Sequence, residues 1–224
     1  MQFAKLPLVR RSRGLFLVLE GPDKSGKSTQ ARLLVERLRA AGYPVEHTRE
    51  PGGTSFAEEV RRILLSTEHA VRPVAELLLY EASRAQHTDE KLRPALAAGS
   101  VVVCERYTMS TTVYQGHARG LDLKLVETAN RLATGGLKPD LTFVFDIPDR
   151  EFETRDTGRA HDRLESEPAA FRRRVRDGYR KMKGKGIVHL DGRLPIDALQ
   201  EKMFAALAAK LKPVKKAAPE GAAV

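Results

Sequence analysis

The chain has 224 residues, enough for one α/β domain with a substantial core and too few for two large ones. Hydrophobic residues make up 42% and charged residues 30%, and no apolar run approaches the roughly 20 residues of a membrane span, so a soluble globular protein is expected and no membrane partner. The formal charge of +10 raises nucleic acid as a partner, yet residues 1–13 carry +4, residues 172–185 carry +7 and residues 210–224 carry +3, which leaves about −4 on the rest; basicity confined to arms and one helix reads as a solvated face, and no nucleic acid is expected.

The N-terminal MQFAKLPLVRRSRG is basic but has neither a long apolar core nor a small-residue cleavage site, so residues 1–13 read as a flexible basic arm and a cytoplasmic location is expected. LFLVLE (15–20) is a β-rich apolar run, followed by a glycine-rich turn and by KSTQARLLVERLRAAG, whose apolar residues recur at helical spacing up to the stop signal Gly42. PVEHT (44–48) predicts a second strand, TSFAEEVRRILLS (54–66) a helix, and residues 73–98 long helical sequence interrupted near Pro94. SVVVCE (100–105) predicts a third strand, with Cys104 as a small buried residue; a single cysteine excludes an intramolecular disulfide. Helical patterns at about 108–116 and 122–134 lead to DLTFVFDI (140–147), a fourth strand, and then to a polar, arginine-rich stretch at 150–165. A basic helix (168–183), a short strand GIVHL (186–190), a helix opening near Pro195 and an Ala/Lys/Pro tail complete the chain. Apolar strands alternating with helices predict a three-layer α/β/α fold around a five-stranded parallel sheet. The domain spans 14–212, and 213–224 reads as a disordered tail.

Gly21-Pro22-Asp23-Lys24-Ser25-Gly26-Lys27-Ser28 fits G-x-x-x-x-G-K-[ST] between a strand and a helix, the pattern of a P-loop NTPase. Its backbone N–H groups, continued by Thr29, are expected to wrap the phosphates of ATP, with Lys27 reaching the β- and γ-phosphates and the Ser28 hydroxyl a ligand of Mg²⁺. Neither Asn-Lys-x-Asp nor a strand-linked G-x-G-x-x-G is present, which disfavours GTPase switches and dinucleotide enzymes. Glu105 ends a strand where P-loop proteins place the acid of the Mg²⁺ shell. His47, His69, His87, His117, His161 and His189 form no metal-binding pattern, so the metal is expected to arrive with ATP.

Four segments resemble the thymidylate kinase family: EGPDKSGKSTQ; Thr48-Arg49-Glu50-Pro51-Gly52-Gly53-Thr54; Ser110-Thr111-Thr112-Val113-Tyr114-Gln115-Gly116 with Arg119-Gly120; and the arginine-rich 155–165 stretch. Pro139-Asp140-Leu141-Thr142 also fits. The resemblance implies phosphorylation of thymidine monophosphate by ATP, a short lid at about 150–165, and a homodimer. Arg49 and Arg106, at the ends of strands, suit the acceptor phosphate, with Glu50 beside them. Tyr80 and Arg84, at i and i+4, lie on one helix face and are set by the resemblance against the thymine ring and its carbonyl. Thr111 and Gln115 resemble polar contacts to the base, and Tyr114 the ring against the 2′ side of the sugar.

Two departures stand out. The family usually has Asp-Arg where this chain has Glu105-Arg106, and Glu-Arg together with Glu50-Pro51 also resembles deoxynucleoside kinases, in which the Glu matching Glu50 acts as base toward a sugar hydroxyl. A basic P-loop residue, Lys24 beside Asp23, occurs together with lid arginines, the candidates being Arg155, Arg159 and Arg163 with Asp162 and Glu165 between them. Arg159 is the expected transition-state cation, ahead of Lys24. A P-loop regulator binding ATP and nucleic acid is the non-enzyme alternative.

Overall fold

The computed structural model describes residues 13–155 and 162–210. Strands β1 (Leu15–Glu20), β2 (Val45–Arg49), β3 (Val101–Glu105), β4 (Leu141–Asp146) and β5 (Ile187–Asp191) form one parallel sheet in the order β2-β3-β1-β4-β5. The three central strands are apolar almost throughout and buried on both faces, as parallel strands covered by two helical layers must be. The edge strands β2 and β5 carry His47 and His189 and are less buried.

Alternation along the strands divides the core. Leu15, Leu17 and Leu19 pack with Leu34 and Leu38 of α1 (Lys27–Ala40) and with Met203 and Leu207 of α9 (Ile196–Lys210). Phe16, Val18, Val102 and Cys104 turn to the opposite face, against Leu92, Leu96 and Tyr107. Burial foremost, with carboxylates nearby, pushes the Cys104 thiol up, in keeping with an inert core residue. Because β1 sends its neighbours β3 and β4 to opposite sides, a crevice opens at the carboxyl ends of the strands, where open α/β sheets bind ligands.

The remaining helices frame that crevice. Helix α2 (Ser55–Leu65) is capped by Thr54, whose Oγ1 accepts from Ala57 N at 3.3 Å. Helix α3 (Pro73–His87) passes through a π-helical turn, Thr88–Leu92, into α4 (Arg93–Ala97). The widened turn just before Pro94 gives the expected interruption its form, since a proline ring collides with the carbonyl four residues back in an unbroken α-helix. Helix α5 (Thr108–Thr111) likewise continues as a π-helical segment, Thr112–Ala118. Helix α6 (Leu123–Thr134) runs from an Asp122 cap to Gly135, and α8 (Ala169–Lys181) is the basic helix. A short helix that the polar pattern did not suggest, α7 (Asp149–Thr154), follows β4.

Arg13, the last residue of the expected arm, pairs with Asp140 at 2.8 Å; residues 1–12 and 211–224 lie outside the described residues. No helix among the described residues is long and apolar enough to cross a membrane.

Candidate active site

The turn after β1 is built for an anion. Gly21 adopts φ +140°, and a Cβ there would stand 2.4 Å from the Phe145 carbonyl oxygen, so no other residue fits. No side chain caps the start of α1 at Gly26, which leaves the N–H groups of the first turn and the positive end of the helix for a phosphate. Lys27 folds across the loop, donating to Gly21 O at 3.0 Å and Pro22 O at 2.6 Å. Burial, aided by the neighbouring Arg106 charge, brings the Lys27 amine down to about 7 against the pull of Asp23, Glu20 and Glu105; a polyphosphate would restore its charge.

Ser28 donates its hydroxyl to Glu105 Oε2, and His47 Nε2 lies 3.2 Å from Glu105 Oε1. Burial pushes the Glu105 carboxyl up, but the His47 and Ser28 hydrogen bonds and the nearby positive charges hold it below the usual carboxylate range. A hydroxyl and an ionised carboxylate at the phosphate loop form an all-oxygen donor set suited to Mg²⁺. Among the described residues no cluster of three metal-ligating side chains exists, so such an ion would take the rest of its shell from phosphates and water.

From this loop a cavity of about 710 Å³ extends toward α3, within the usual range for small-molecule sites. Asp23, Lys24, Ser25, Gly26, Lys27, Ser28 and Thr29 line one end. Gly21 and Pro22 do not line it; their carbonyls serve Lys27. Arg49, Glu50, Tyr80, Arg84, Glu105, Arg106, Thr111, Tyr114 and Gln115 line the remainder. The contributions not anticipated include Arg61, which donates to Pro51 O at 2.8 Å, and the loop Gly192–Leu194 after β5. Position at the end of a fifth parallel strand was the available signal for that loop. Arg61 offered none beyond being one of two adjacent arginines in an amphipathic helix.

Arg106 sits at the centre of the cavity with φ +68°, a left-handed conformation costly for a residue with a Cβ. Its guanidinium pairs with Asp23 and donates to Gly21 O at 3.1 Å, Ser110 Oγ at 3.3 Å and Tyr179 OH at 3.2 Å. Asp23 also accepts from Tyr114 OH at 3.1 Å; burial pushes its carboxyl up, but Arg106 and Lys27 outweigh burial and hold it low. Beneath them the wholly buried Glu20 accepts from Tyr107 N, Ser110 N and Oγ, and Tyr179 OH, which fixes the chain around Arg106. Arg49 pairs with Glu58 at 3.0 Å on the exposed rim.

At the far end, Arg84 is buried rather than solvated. Nε donates to Glu50 at 2.8 Å, Nη1 to Glu81 at 2.6 Å and Asn130 at 3.0 Å, and Nη2 to Tyr107 O at 3.2 Å, which accounts for four of the five N–H groups of a guanidinium that lines the cavity. Glu50 has both oxygens engaged, the second by His87 Nδ1 at 2.9 Å, whose Nε2 meets Thr48 Oγ1 at 2.7 Å. Gly53 sits tight on this pair: with φ +92°, any Cβ would stand 2.6 Å from His87 and from Thr48. Thr111 Oγ1 lies by Glu81 and makes no hydrogen bond of ordinary geometry among the described residues. Gln115 donates to Glu76 at 2.7 Å.

The described arginines of the 155–165 stretch have separate destinations. Arg155 donates to Lys24 O at 3.1 Å and Gly192 O at 3.0 Å, over the phosphate loop. Arg163 reaches away from it, to Leu64 O at 2.9 Å and to the buried Glu76 at 2.6 Å, which also binds Arg119. Arg159 lies outside the described residues. On α8, Arg174 donates to Ala118 O and Arg180 to Asp146, so part of the basic helix is occupied in holding the fold.

The family model of thymidylate kinase matches residues 19–203 of this chain. The chain belongs to the thymidylate kinase family. It is 43% identical over 197 residues to a thymidylate kinase of Exiguobacterium sp. AT1b, covering 85% of this chain and 92% of that one. With a thymidylate kinase of Citrifermentans bemidjiense it shares 42% identity over 221 residues, covering 90% and 98%. A crystal structure of thymidylate kinase from Ehrlichia chaffeensis superposes with a TM-score of 0.70 at 31% identity, covering 87% of this chain and 98% of that one. The resemblance drawn from four short segments thus extends over nearly the whole thymidylate kinase domain.

Proposed function

We infer that this member of the thymidylate kinase family transfers the γ-phosphoryl of ATP to thymidine monophosphate, giving thymidine diphosphate and ADP. The observation that carries this reading is one continuous cavity lined by the phosphate loop with Lys27 at the start of a helix, by Arg49, Arg61 and Arg106, and by Tyr80 with the buried Arg84. Two anions meeting between cations, with a flat apolar surface beyond, suit phosphoryl transfer between two nucleotides.

In this reading Lys27 and the loop amides hold the β- and γ-phosphates. Arg106, immobilised through Asp23 and Glu20, binds the acceptor phosphate with Arg49 and Arg61 and points its oxygen at the γ-phosphorus. Tyr80 stacks on the base, Arg84 and Gln115 face its polar edge together with Thr111, and Tyr114 closes the 2′ side. Ser28 and Glu105 would hold Mg²⁺, which supplies charge neutralisation between the β- and γ-phosphates. Arg159 is assigned to the transferring phosphoryl ahead of Lys24. The Arg155 contacts to Lys24 and Gly192 support this by tethering the start of the lid segment over the phosphate loop. A deoxynucleoside kinase would need Glu50 as a base, and both oxygens of Glu50 are already engaged by Arg84 and His87.

The reading includes a homodimer and a cytoplasmic location. Neighbouring helices α2, α3 and α6 expose Phe56, Val74, Leu78, Leu125 and Leu132, with Leu78 61% exposed, and a second copy of the chain would cover such a face. Incubation with Mg-ATP and thymidine monophosphate, followed by chromatography, tests the activity: equal amounts of thymidine diphosphate and ADP are expected. ADP appearing only when polynucleotide is added would instead favour a nucleic-acid-dependent ATPase.

A further inference from the structure

His47 touches Glu105 but holds no role of its own in the assignments above. His47 lies on edge strand β2 and Glu105 at the end of β3. The parallel register sets His47 opposite Val103 and Arg49 opposite Glu105, so His47 and Glu105 are diagonal neighbours on the sheet face that carries the phosphate loop. The imidazole is 32% exposed, so it is not a core side chain. Its Nε2 faces Glu105 Oε1 at 3.2 Å while Ser28 occupies Oε2. One hydroxyl alone would leave the longer glutamate side chain free to turn about its terminal torsion; a second donor on the other oxygen removes that freedom.

We propose that His47 is a positioning residue for Glu105, and that the two form a pair in which the imidazole fixes the carboxylate oxygen that Ser28 does not hold. The proposal rests on the reading of Glu105 as the acid of the Mg²⁺ shell. A glutamate places its carboxylate farther from the backbone than an aspartate does, and the imidazole on the neighbouring strand meets it there. The pair then presents fixed oxygens to the metal, so the cost of ordering the side chain is not met at each binding event.

The test is calorimetric titration of the full chain with ADP across a Mg²⁺ series, giving the Mg²⁺ concentration that half-saturates tight ADP binding, alongside the Mg²⁺ dependence of turnover. His47→Leu is expected to raise that concentration about 10-fold, as loss of an outer-shell partner does. His47→Gln, which keeps an N–H donor at similar reach, is expected to restore it. In a Glu105→Asp background, where the acid no longer reaches the imidazole, His47→Leu is expected to add nothing. The proposal is overturned if His47→Leu leaves the Mg²⁺ requirement unchanged while Glu105→Gln raises it. An equal cost of His47→Leu in both backgrounds would also overturn it. An unchanged requirement in Glu105→Gln would remove the metal role of Glu105, and this proposal with it.

Discussion

Replacing Arg84 with methionine keeps an unbranched stem as far as the Nε position and removes every N–H group of the side chain. Glu50 and Glu81 then lose partners at 2.8 and 2.6 Å, in side chains only 3% and 8% exposed, and Asn130 Oδ1 and Tyr107 O lose donors as well. Removing one member of a buried ion pair costs about 3–5 kcal/mol, because the remaining charge is stranded away from water. In a chain of this size each kcal/mol lowers the melting temperature by about 2–4 °C, so Arg84→Met should melt roughly 6–20 °C below the parent at neutral pH, read by circular dichroism. Glu81, raised above its ordinary range by burial, accepts a proton readily, and adding Glu81→Gln should recover part of the loss. The folded fraction should bind thymidine monophosphate about 1–3 kcal/mol more weakly with ATP affinity unchanged, since Arg84 lines the cavity and the proposed reading sets it at the polar edge of the base. A melting temperature within about 3 °C of the parent would refute the charge-pairing account of this end of the site.

Burial pushes the Glu76 carboxyl up, but Arg119, Gln115 and Arg163 outweigh burial and hold it below its ordinary 4.5; its stabilisation is therefore complete above the unfolded value and lost as pH falls through the lower folded one. Glu76→Gln should flatten the acid limb of the melting curve below about pH 4.5, and parallel limbs in parent and variant would contradict the pairing. Arg159→Ala should lower kcat by about 10²-fold or more, and Lys24→Ala by less. The opposite order in steady-state kinetics would transfer the role to Lys24. Leu78→Arg should convert a dimer to a monomer in light scattering after size exclusion; a parent that is already monomeric would end that reading.

The fold was legible where local pattern decides it. The buried strands β1, β3 and β4 announce themselves as apolar runs, and the phosphate loop is confined to eight adjacent residues. What stayed hidden depends on contacts between segments far apart in the chain. The i, i+4 spacing of Tyr80 and Arg84 put both on one helix face, but nothing local showed that Glu50, 34 residues earlier, would claim the guanidinium. Arg163 was read as a lid cation on the strength of its neighbours, and the structure ties it to Glu76, 87 residues away. His47 likewise became meaningful only once the strand register set it beside Glu105. The short α7 helix, amid polar residues with no apolar periodicity, had no signal to give.

The most direct test of the central claim compares kcat/KM for thymidine monophosphate and thymidine with saturating Mg-ATP. In the proposed reading the phosphate is the partner of Arg106, with Arg49 and Arg61 beside it, and even two charge-assisted contacts at about 1.5–3 kcal/mol each amount to roughly 10²–10⁴-fold. Thymidine monophosphate is expected to be the better substrate by that margin, with thymidine diphosphate as product; equal or better use of thymidine would contradict the account.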